Sequence, residues 1–350
     1  MTGRLATAVG GVRLKNPLIA AAAEHFLDPE GPRRALRAGA GAVVVKSTNE
    51  SQAARDQLDR AEYVALDARW NPVPWDASAP DDATIACRSG LTPEPFEEWL
   101  DRTAALDREA KGFDAYAVAS LILAGLEAAP GMARAVEAAG LRVLEFNIGT
   151  PYASQAAKGA VATELDPERV RTIVATIRDA VTIPLWIKLS GQSERVPDLA
   201  RAAFEAGADA VTMAGRSLGL IPDLETQAPM LGTSLGIGGF WNLPLTCHWL
   251  ALTRAGLGPE RALIGTNGAR SGHDVARMML AGASAVAMAS PVMLRGYGLI
   301  AESLAELEAY LAGKGMNAAD LVGRAADSRK TFADMPPRPG NWRNYVPRST

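Results

Sequence analysis

Two lysines end strand-like runs that are otherwise apolar, AVVVK (42–46) and PLWIKL (184–189). Burying an ammonium group is costly unless it meets an acceptor or an anion. Lys46 and Lys188 could instead extend their charged ends to solvent. Because both lysines lie where a strand is expected to end, we favour a bound ligand beside them.

A second set of polar residues follows the strand-like run RVLEF (142–146) in the stretch NIGTPYASQAAKGA. Asn147, Thr150 and Tyr152 leave the strand end together and enter a loop rich in glycine and alanine. Side chains at such strand ends are common positions for substrate and cofactor contacts in α/β proteins. We therefore predict that this loop takes part in the chemistry.

Several residues could move a proton near this loop. The Thr150 hydroxyl could relay one, although unaided it is a weak base, and it could equally serve only to hydrogen-bond the loop. Tyr152 and Lys158 are alternatives. His25 is another, because its ordinary pKa suits proton transfer, yet a lone histidine near a helix start is often structural.

Glycine-containing turns near the end of the chain predict a phosphate site. IGTNGARSGHDV (264–275) places a turn before a helix N-terminus, and SAVAMAS places Ala289 and Ser290 after the next strand. Backbone amides of these two loops commonly hold phosphate in (β/α)8 proteins. GIGGFWN (236–242) adds a turn whose backbone could approach a ligand closely, although glycine is common in turns that bind nothing.

Eight short apolar runs, each followed by a helical pattern, must position these groups. Continuous apolar runs are typical of parallel strands that are buried on both faces. The runs are LIAAA (18–22), AVVVK (42–46), AYAVASLI (115–122), RVLEFN (142–147), PLWIKL (184–189), DAVTM (209–213), ALIGT (262–266) and SAVAM (284–288). Eight alternations without a GxGxxG fingerprint after the first strand predict an α/β fold, a (β/α)8 TIM barrel, rather than an open doubly wound sheet.

Two segments fall outside this alternation. Residues 47–93 form a long insertion after strand 2, rich in proline, aspartate and serine, which we expect to cover the active site. Residues 336–350 form a proline-rich tail, either a free end or an arm packed on this or a neighbouring subunit. Trp342 and Tyr345 favour the arm. We thus expect one domain, 1–335, followed by the tail.

Composition excludes several classes of protein. The 350 residues carry a formal net charge of −3 with no basic stripe, which argues against nucleic-acid binding. No apolar run is long enough to span a membrane and the N-terminus lacks a signal-like apolar segment, so we expect a cytoplasmic location. The two cysteines, Cys87 and Cys247, are far apart and suggest neither a metal nor an iron–sulfur site.

The motifs NPLIAAA, AVVVKST, EFNIGTPY, PLWIKLSG, GIGG and IGTNGARSGHDV…LAGASAVAMAS resemble, in order and spacing, the FMN-binding barrel of the dihydroorotate dehydrogenase and dihydropyrimidine dehydrogenase family. The resemblance spans about residues 10–300 and implies an FMN-dependent oxidoreductase acting on CH–CH bonds. The residues it implies for FMN are Ala21, Ala22, Lys46, Asn147, Lys188, Gly239, Asn267, Gly268, Ala289 and Ser290. A cation near the flavin edge would stabilise the reduced flavin, and backbone amides would bind its phosphate.

The resemblance also implies a position for the proton-transfer residue. The family pattern is Asn-x-Ser-Cys/Ser-Pro-Asn, in which the fourth residue is the acid or base. This chain keeps the asparagine at Asn147 and the proline at Pro151, but has Thr150 at the fourth position and Tyr152 at the last. Thr150, Tyr152 and His25 are therefore the candidate catalytic residues.

The pyrimidine-recognition residues of the family are replaced. An Asn-Thr pair expected after strand 6 appears here as Gly215 and Arg216, and a second asparagine is replaced around Cys87, Arg88 and Ser89. Unpaired buried polar groups reject a ligand strongly, so pyrimidine recognition should be lost. We expect Arg216 and Arg88, together with Asn147, to bind a small anionic substrate. A surface salt bridge is an equally good explanation of Arg88.

Three functions remain open at this point. The first is FMN-dependent hydride transfer to or from a cyclic or conjugated substrate other than dihydroorotate. The second is genuine dihydroorotate or dihydropyrimidine oxidation. The third is a non-redox phosphate-binding lyase or isomerase, which two lysines placed along a flavin edge disfavour. We expect a soluble electron donor or acceptor and a homodimer.

Overall fold

The computed structural model describes residues 3–151, 153–213 and 215–347. Eight parallel strands form a closed barrel, in which each strand pairs with the next along the chain and the last pairs with the first. Inside and outside the barrel, the described residues form fifteen strands: β1 (Thr7–Val9), β2 (Val12–Leu14), β3 (Leu18–Ala20), β4 (Ala42–Val44), β5 (Glu62–Leu66), β6 (Pro72–Val73), β7 (Thr84–Arg88), β8 (Tyr116–Ile122), β9 (Leu144–Asn147), β10 (Leu185–Lys188), β11 (Ala210–Met213), β12 (Ser217–Gly219), β13 (Leu235–Gly238), β14 (Ala262–Thr266) and β15 (Ala283–Met288).

Helices surround the barrel. They are α1 (Glu30–Arg37), α2 (Gln52–Asp56), α3 (Phe96–Lys111), α4 (Ala129–Ala138), α5 (Pro167–Arg178), α6 (Val196–Glu205), α7 (Leu243–Leu257), α8 (Gly272–Leu280), α9 (Ser290–Arg295), α10 (Gly298–Lys314), α11 (Ala318–Leu321) and α12 (Arg324–Asp327). None of the helices in the described residues is long and apolar enough to cross a membrane.

The barrel strands are β3, β4, β8, β9, β10, β11, β14 and β15. Seven of them fall within the predicted apolar runs, and β15 begins one residue before its run, at Ala283. Burial on both faces explains why these runs do not alternate. In β9, for example, Leu144 and Phe146 pack toward the helices, and the neighbouring Glu145 is also buried. The (β/α)8 prediction is therefore confirmed.

An N-terminal hairpin closes the barrel floor, which the sequence analysis did not predict. Strands β1 and β2 pair antiparallel, and Val9, Val12 and Leu14 share an apolar cluster with Trp186 of the barrel interior. The Thr7 hydroxyl donates to the Ser284 carbonyl at 2.8 Å. The hairpin seals the barrel end where the parallel strands begin.

A five-stranded antiparallel sheet, called the cap sheet below, has the order β12-β13-β7-β5-β6. It joins two segments that are distant in sequence, residues 62–88 from the insertion and residues 217–238 from the connection after barrel strand β11. Strand β7 lies at the junction, pairing with β5 on one side and β13 on the other. Trp241 donates to the Thr84 hydroxyl at 3.0 Å and fixes the sheet to the start of α7.

The C-terminal segment carries several exposed apolar side chains. Phe332, Trp342 and Tyr345 are 96%, 63% and 78% exposed, respectively. Its local structure is two short 3-10 helices, Phe332–Asp334 and Asn341–Tyr345, of which the second lies in the tail 336–350. An aromatic surface of this kind fits the expectation of an arm, which remains a prediction.

Candidate active site

A cleft opens at the carboxyl ends of the barrel strands, between the barrel and the cap sheet. The empty space between its walls, counted out into the open solvent at its mouth, is about 1410 Å³. The residues predicted from the sequence that line it are Ala21, Ala22, Lys46, Asn147, Thr150, Lys188, Arg216, Gly239, Asn267, Gly268, Ala289 and Ser290.

Lys46 lies just beyond the end of β4 and is almost fully buried. Its Nζ lies 3.0 Å from the carboxylate of Glu24, which follows β3, and the two side chains are only 7% and 17% exposed. The Lys46 carbonyl accepts a hydrogen bond from Trp99 Nε1 at 2.8 Å, which anchors the backbone to α3. The burial cost of the ammonium is thus met by a carboxylate of the protein itself.

Glu24 is held from two sides by residues of the insertion. The Tyr63 hydroxyl of β5 donates a short hydrogen bond to one carboxylate oxygen, and the Gly90 amide donates to the other at 3.3 Å. Burial acts to raise the pKa of Glu24, but the charges of Lys46 and Arg216 and the Tyr63 hydrogen bond outweigh it, so the pKa is lowered. Burial raises the pKa of the Tyr63 phenol well above its ordinary value. The pair is therefore a carboxylate and a protonated phenol.

Lys188 ends β10 and has weaker support. Its Nζ lies 3.9 Å from the buried carboxylate of Glu145 on β9. That carboxylate also accepts from the Ser120 hydroxyl at 3.4 Å. Lys188 pairs in register with Asn147, so the two side chains emerge from neighbouring strand ends. Its ammonium lines the cleft with only a distant counter-charge.

The loop after β9 presents Asn147 and Thr150 to the cleft. The Asn147 Oδ1 accepts from the Gly149 amide at 2.9 Å. A side chain at Gly149 would place its Cβ 2.2 Å from the Ser190 nitrogen, so this loop must pass close to the β10 backbone. The Thr150 hydroxyl is buried with no hydrogen-bond partner in the part of the chain described. Tyr152, the other expected proton handler of this loop, lies outside the described residues.

The turns after β13, β14 and β15 form the opposite end of the cleft. Asn267 has a left-handed backbone (φ 66°), and its side chain accepts from the Gly239 amide at 3.3 Å and donates to the Gly215 carbonyl at 3.2 Å. Gly268 has φ 118°, and a Cβ there would lie 2.5 Å from the Leu243 nitrogen at the start of α7. Helix α9 begins at Ser290, so its first amides lack helical acceptors.

Two arginines flank this end and both meet Asp81 of the insertion. Arg295 forms an ion pair with the Asp81 carboxylate at 2.6 Å, and Arg270 donates to its backbone carbonyl at 3.1 Å. The Arg270 guanidinium also lies 4.6 Å from the centre of the Phe240 ring. This end of the cleft is therefore rich in cations and backbone amides, as a phosphate requires.

Arg216 follows β11 and reaches under the cap sheet. Its guanidinium contacts the Cys87 sulfur on β7 and donates to the Ser89 hydroxyl at 3.2 Å. Burial raises the pKa of the Cys87 thiol. Of the two arginines expected to bind substrate, Arg216 is the one that lines the cleft.

Arg88 lies outside the main cleft, contrary to the expectation that it binds the substrate. Its guanidinium donates to the Arg60 carbonyl at 2.7 Å and to the Leu231 carbonyl, and it forms an ion pair with Glu62 at 2.5 Å. Side chains alternate across a strand, so Arg88 faces the opposite side of β7 from its neighbours Cys87 and Ser89. The alternative of a partly exposed salt bridge describes it correctly.

The structure also argues against His25 as a proton handler. Its ring is tilted against those of Phe26 and Tyr297, with ring centres 4.0 Å and 5.9 Å away, and neither ring nitrogen has a hydrogen-bond partner among the described residues. Burial lowers the pKa of His25 to about 3. It does not line the cleft. A neutral, packed imidazole is the structural role that the sequence analysis had left open.

These groups fit FMN. The orphaned Thr150 hydroxyl and the incompletely paired Lys188 lie at one end, where a flavin ring would need polar partners. Tight glycine turns and helix-start amides lie at the other end, where the phosphate would sit. Glu24, Tyr63 and Asp81 could not be singled out from the sequence. No local signal marks these residues, because Glu24 meets Tyr63 and the arginines meet Asp81 only where the insertion folds over the barrel.

Comparisons with known proteins bear on the same region. A family model described as dihydroorotate dehydrogenase matches residues 85–311. The catalytic subunit of dihydroorotate dehydrogenase B (NAD(+)) from Methanocella arvoryzae is 28% identical over 330 residues, covering 90% of this chain and 96% of its own. The same subunit from Desulforudis audaxviator is 29% identical, covering 93% and 98%. Dihydroorotate dehydrogenase A (fumarate) from Lacticaseibacillus paracasei is 31% identical over 151 residues, which span 43% of this chain and half of that relative.

Proposed function

Because this chain belongs to the dihydroorotate dehydrogenase family, whose members are FMN-dependent oxidoreductases acting on CH–CH bonds, we propose that it transfers hydride between FMN and a small, anionic, cyclic or conjugated substrate. The substrate we propose is not dihydroorotate. The observation that carries this proposal is the convergence of Lys46, Lys188, Asn147 and Thr150 on one cleft whose far end is a phosphate cradle.

The roles of the residues follow from their chemistry. Bound FMN supplies a two-electron acceptor or donor at its N5 atom. The flavin ring would lie against Lys46, Lys188 and Asn147. Lys188 would stabilise negative charge on the ring, because the nearest carboxylate, that of Glu145, is 3.9 Å from its ammonium. The turns at Gly268 and Ser290 hold the phosphate end.

Thr150 is the proposed proton-transfer residue. Thr150 lines the cleft, and its buried hydroxyl has no hydrogen-bond partner among the described residues, so its capacity to donate and accept a hydrogen bond is unused there. A hydroxyl at this position both accepts and donates, as a proton relay requires. Tyr152 remains a proposed second contributor, because it lies on the same loop.

Arg216 is the proposed anion-binding group of the substrate site. It lines the cleft beside Gly215, where the resemblance leads one to expect an Asn-Thr pair. Its planar guanidinium can donate two parallel hydrogen bonds to one carboxylate. A pyrimidine frame of amides is absent from these positions. This supports a carboxylate-bearing substrate with a different ring or conjugated system.

Dihydroorotate itself is the second candidate. The relatives that match most of this chain carry dihydroorotate dehydrogenase in their names, and dihydroorotate is a ring with one carboxylate that Arg216 could bind. The non-redox lyase or isomerase considered from the sequence has no comparable support, since the family match spans residues 85–311.

The test mixes the enzyme-bound flavin with each compound of a panel in the absence of oxygen. A stopped-flow instrument records the absorbance band of the oxidised flavin, which disappears when the flavin is reduced. The panel contains dihydroorotate, dihydrouracil and saturated ring or chain carboxylates. Bleaching by another carboxylate but not by dihydroorotate supports the proposal. Rapid bleaching by dihydroorotate would replace it with the second candidate.

A matched pair of variants tests the role of Arg216. Arg216→Met should weaken binding of an anionic substrate about 100-fold, the order expected when a charged hydrogen-bonding partner is lost. Arg88→Met makes the same change on the other face of β7 and should leave binding unchanged. Equal losses in both variants would count against the assignment.

The proposed partners and organisation are less specific. We propose a soluble electron donor or acceptor, for which NAD(+) and fumarate, named in the relatives, are the first to test by flavin reoxidation. We also propose a homodimer, one domain over 1–335 with the insertion 47–93 covering the site, and a tail arm. Light scattering with and without residues 336–350 tests the dimer and the arm. A cytoplasmic location stays a prediction.

A further inference from the structure

The geometry points to Glu24 as a specificity-determining residue. Its carboxylate cancels the charge of Lys46 and leaves one net positive charge at the end of the cleft that Lys46, Lys188 and Arg216 line, called the substrate end below. One positive charge matches a substrate with a single negative charge. This inference rests on the proposed function and adds two things to it: the charge class of the substrate and the residue that fixes that class. The resemblance assigned Glu24 no role.

The charges around the substrate end give the first argument. Three cations and two carboxylates line or directly back this end among the described residues. They are Lys46, Lys188 and Arg216, and Glu24 and Glu145. One positive charge is left. Since Glu24 contacts Lys46 at 3.0 Å whereas Glu145 is 3.9 Å from Lys188, the excess lies toward Lys188 and Arg216 rather than at Lys46.

Glu24 is built to stay ionised. Its oxygens receive three hydrogen bonds or ionic contacts, from the Lys46 ammonium, the Gly90 amide and the Tyr63 hydroxyl. An ionised carboxylate accepts about four hydrogen bonds, so its acceptor capacity is nearly filled. A carboxylate held in this way is a fixed charge of the site.

The burial of the pair makes this charge effective. Charges in a cleft with low-dielectric walls act on a ligand far more strongly than exposed charges, which salt screens. Without the Glu24 carboxylate, the sum of the charges at this end of the cleft would rise from one positive charge to two. The preference should then move toward ligands with more negative charge.

Glu24→Gln is the direct test, because it keeps the size of the side chain and removes the charge. Dissociation constants are measured by calorimetry for three probes of rising charge: uracil, which is neutral, orotate, a monoanion, and fumarate, a dianion. The variant should bind uracil within about twofold of wild type, orotate about tenfold more tightly and fumarate about 100-fold more tightly. The gain should grow with the charge of the probe.

A double variant provides a second test if the single variant folds poorly. Glu24→Gln combined with Lys46→Met removes both members of the pair, leaves no uncompensated buried charge and restores one net positive charge. It should return to the charge dependence of the wild type. Orotate and fumarate bound about as tightly by the double variant as by Glu24→Gln would overturn the inference.

Two single variants separate charge from hydrogen bonding and position. Tyr63→Phe removes the hydroxyl that donates to Glu24 but keeps the charge, and Glu62→Gln removes an exposed carboxylate of the same strand. Neither should change how affinity depends on probe charge. Gains in anion affinity from Glu62→Gln equal to those from Glu24→Gln would show a general charge effect and overturn the inference.

The proposed function is scored separately on the same samples. Bound flavin is measured from the visible spectrum. A protein that binds no FMN would contradict the proposed function, whatever dissociation constants the calorimetry gives. Calorimetry decides the role of Glu24. Equal dissociation constants for wild type and Glu24→Gln, or no binding of any probe to either protein, would overturn it.

Discussion

Replacing Thr150 with valine should stabilise the protein and slow its chemistry at the same time. The residue is only 3% exposed and its hydroxyl has no partner in the described part of the chain. An unsatisfied buried polar group costs about 1–3 kcal/mol, and valine has the same shape without that group. We therefore expect the free energy of unfolding of the FMN-free protein to rise by about 1 kcal/mol.

The loss of function should be much larger than the gain in stability. If the hydroxyl moves the substrate proton, its removal should slow flavin reduction by about 100-fold or more, the usual contribution of a positioned acid or base. Thr150→Ser keeps the hydroxyl and should stay within about tenfold of wild type. Reduction by dithionite, which needs no proton relay from the protein, serves as the control.

Both effects can be measured on the same preparation. Urea unfolding followed by tryptophan fluorescence gives the stability, and stopped-flow bleaching by the fastest compound of the substrate panel gives the rate. The reasoning is refuted if Thr150→Val lowers the stability by more than about 1 kcal/mol, since the hydroxyl would then have a partner. It is refuted equally if the variant is reduced at the wild-type rate.

Three further predictions concern stability and cofactor binding. His25 has a pKa of about 3 in the folded protein and about 6.5 in the unfolded chain. As the pH falls from 6.5 toward 3, the unfolded chain therefore takes up the proton first and the folded protein loses stability. The loss should be about 2 kcal/mol at pH 5. His25→Phe should abolish this loss in urea titrations at pH 7 and pH 5. Asp107→Ala should cost about 3 kcal/mol in the same assay at pH 7, because Asp107 is 3% exposed and binds Arg142 at 2.7 Å. Gly268→Ala should weaken FMN binding at least about tenfold in a fluorescence titration, because its φ of 118° and the Leu243 nitrogen at 2.5 Å leave no room for a Cβ.

Each of these has a result that would count against it. A His25→Phe protein that weakens in acid as much as wild type would show that another group is responsible. An Asp107→Ala protein within about 0.5 kcal/mol of wild type would mean that the ion pair contributes little. Unchanged FMN affinity in Gly268→Ala would separate this turn from the cofactor.

The barrel could be predicted from the sequence because its signal is local. Each barrel strand is buried on both faces and is therefore a continuous apolar run, as in the segment 284–288. The cap sheet has no such signal. Three of its five strands, β5, β6 and β12, are partly exposed, and the sheet pairs residues 62–88 with residues 217–238, a contact that no local pattern encodes.

The candidate site divides along the same line. Positions fixed by barrel topology were predictable, since Lys46, Asn147 and Asn267 follow strand ends that must meet at one mouth. Arg88 was misplaced because its side-chain direction depends on the alternation along β7, a strand not predicted. Glu24 gained a role only once the insertion brought Tyr63 against it. Residues whose partners come from distant segments need the structure.

The most direct test of the proposed flavin site is a titration of the FMN-free protein with FMN, in which binding is measured by the quenching of flavin fluorescence. We predict saturation at one FMN per chain, with affinity reduced in Lys188→Met and unchanged in Arg88→Met, whose arginine lies outside the cleft. No saturable binding, or equal losses in the two variants, would contradict the claim that this cleft is a flavin site.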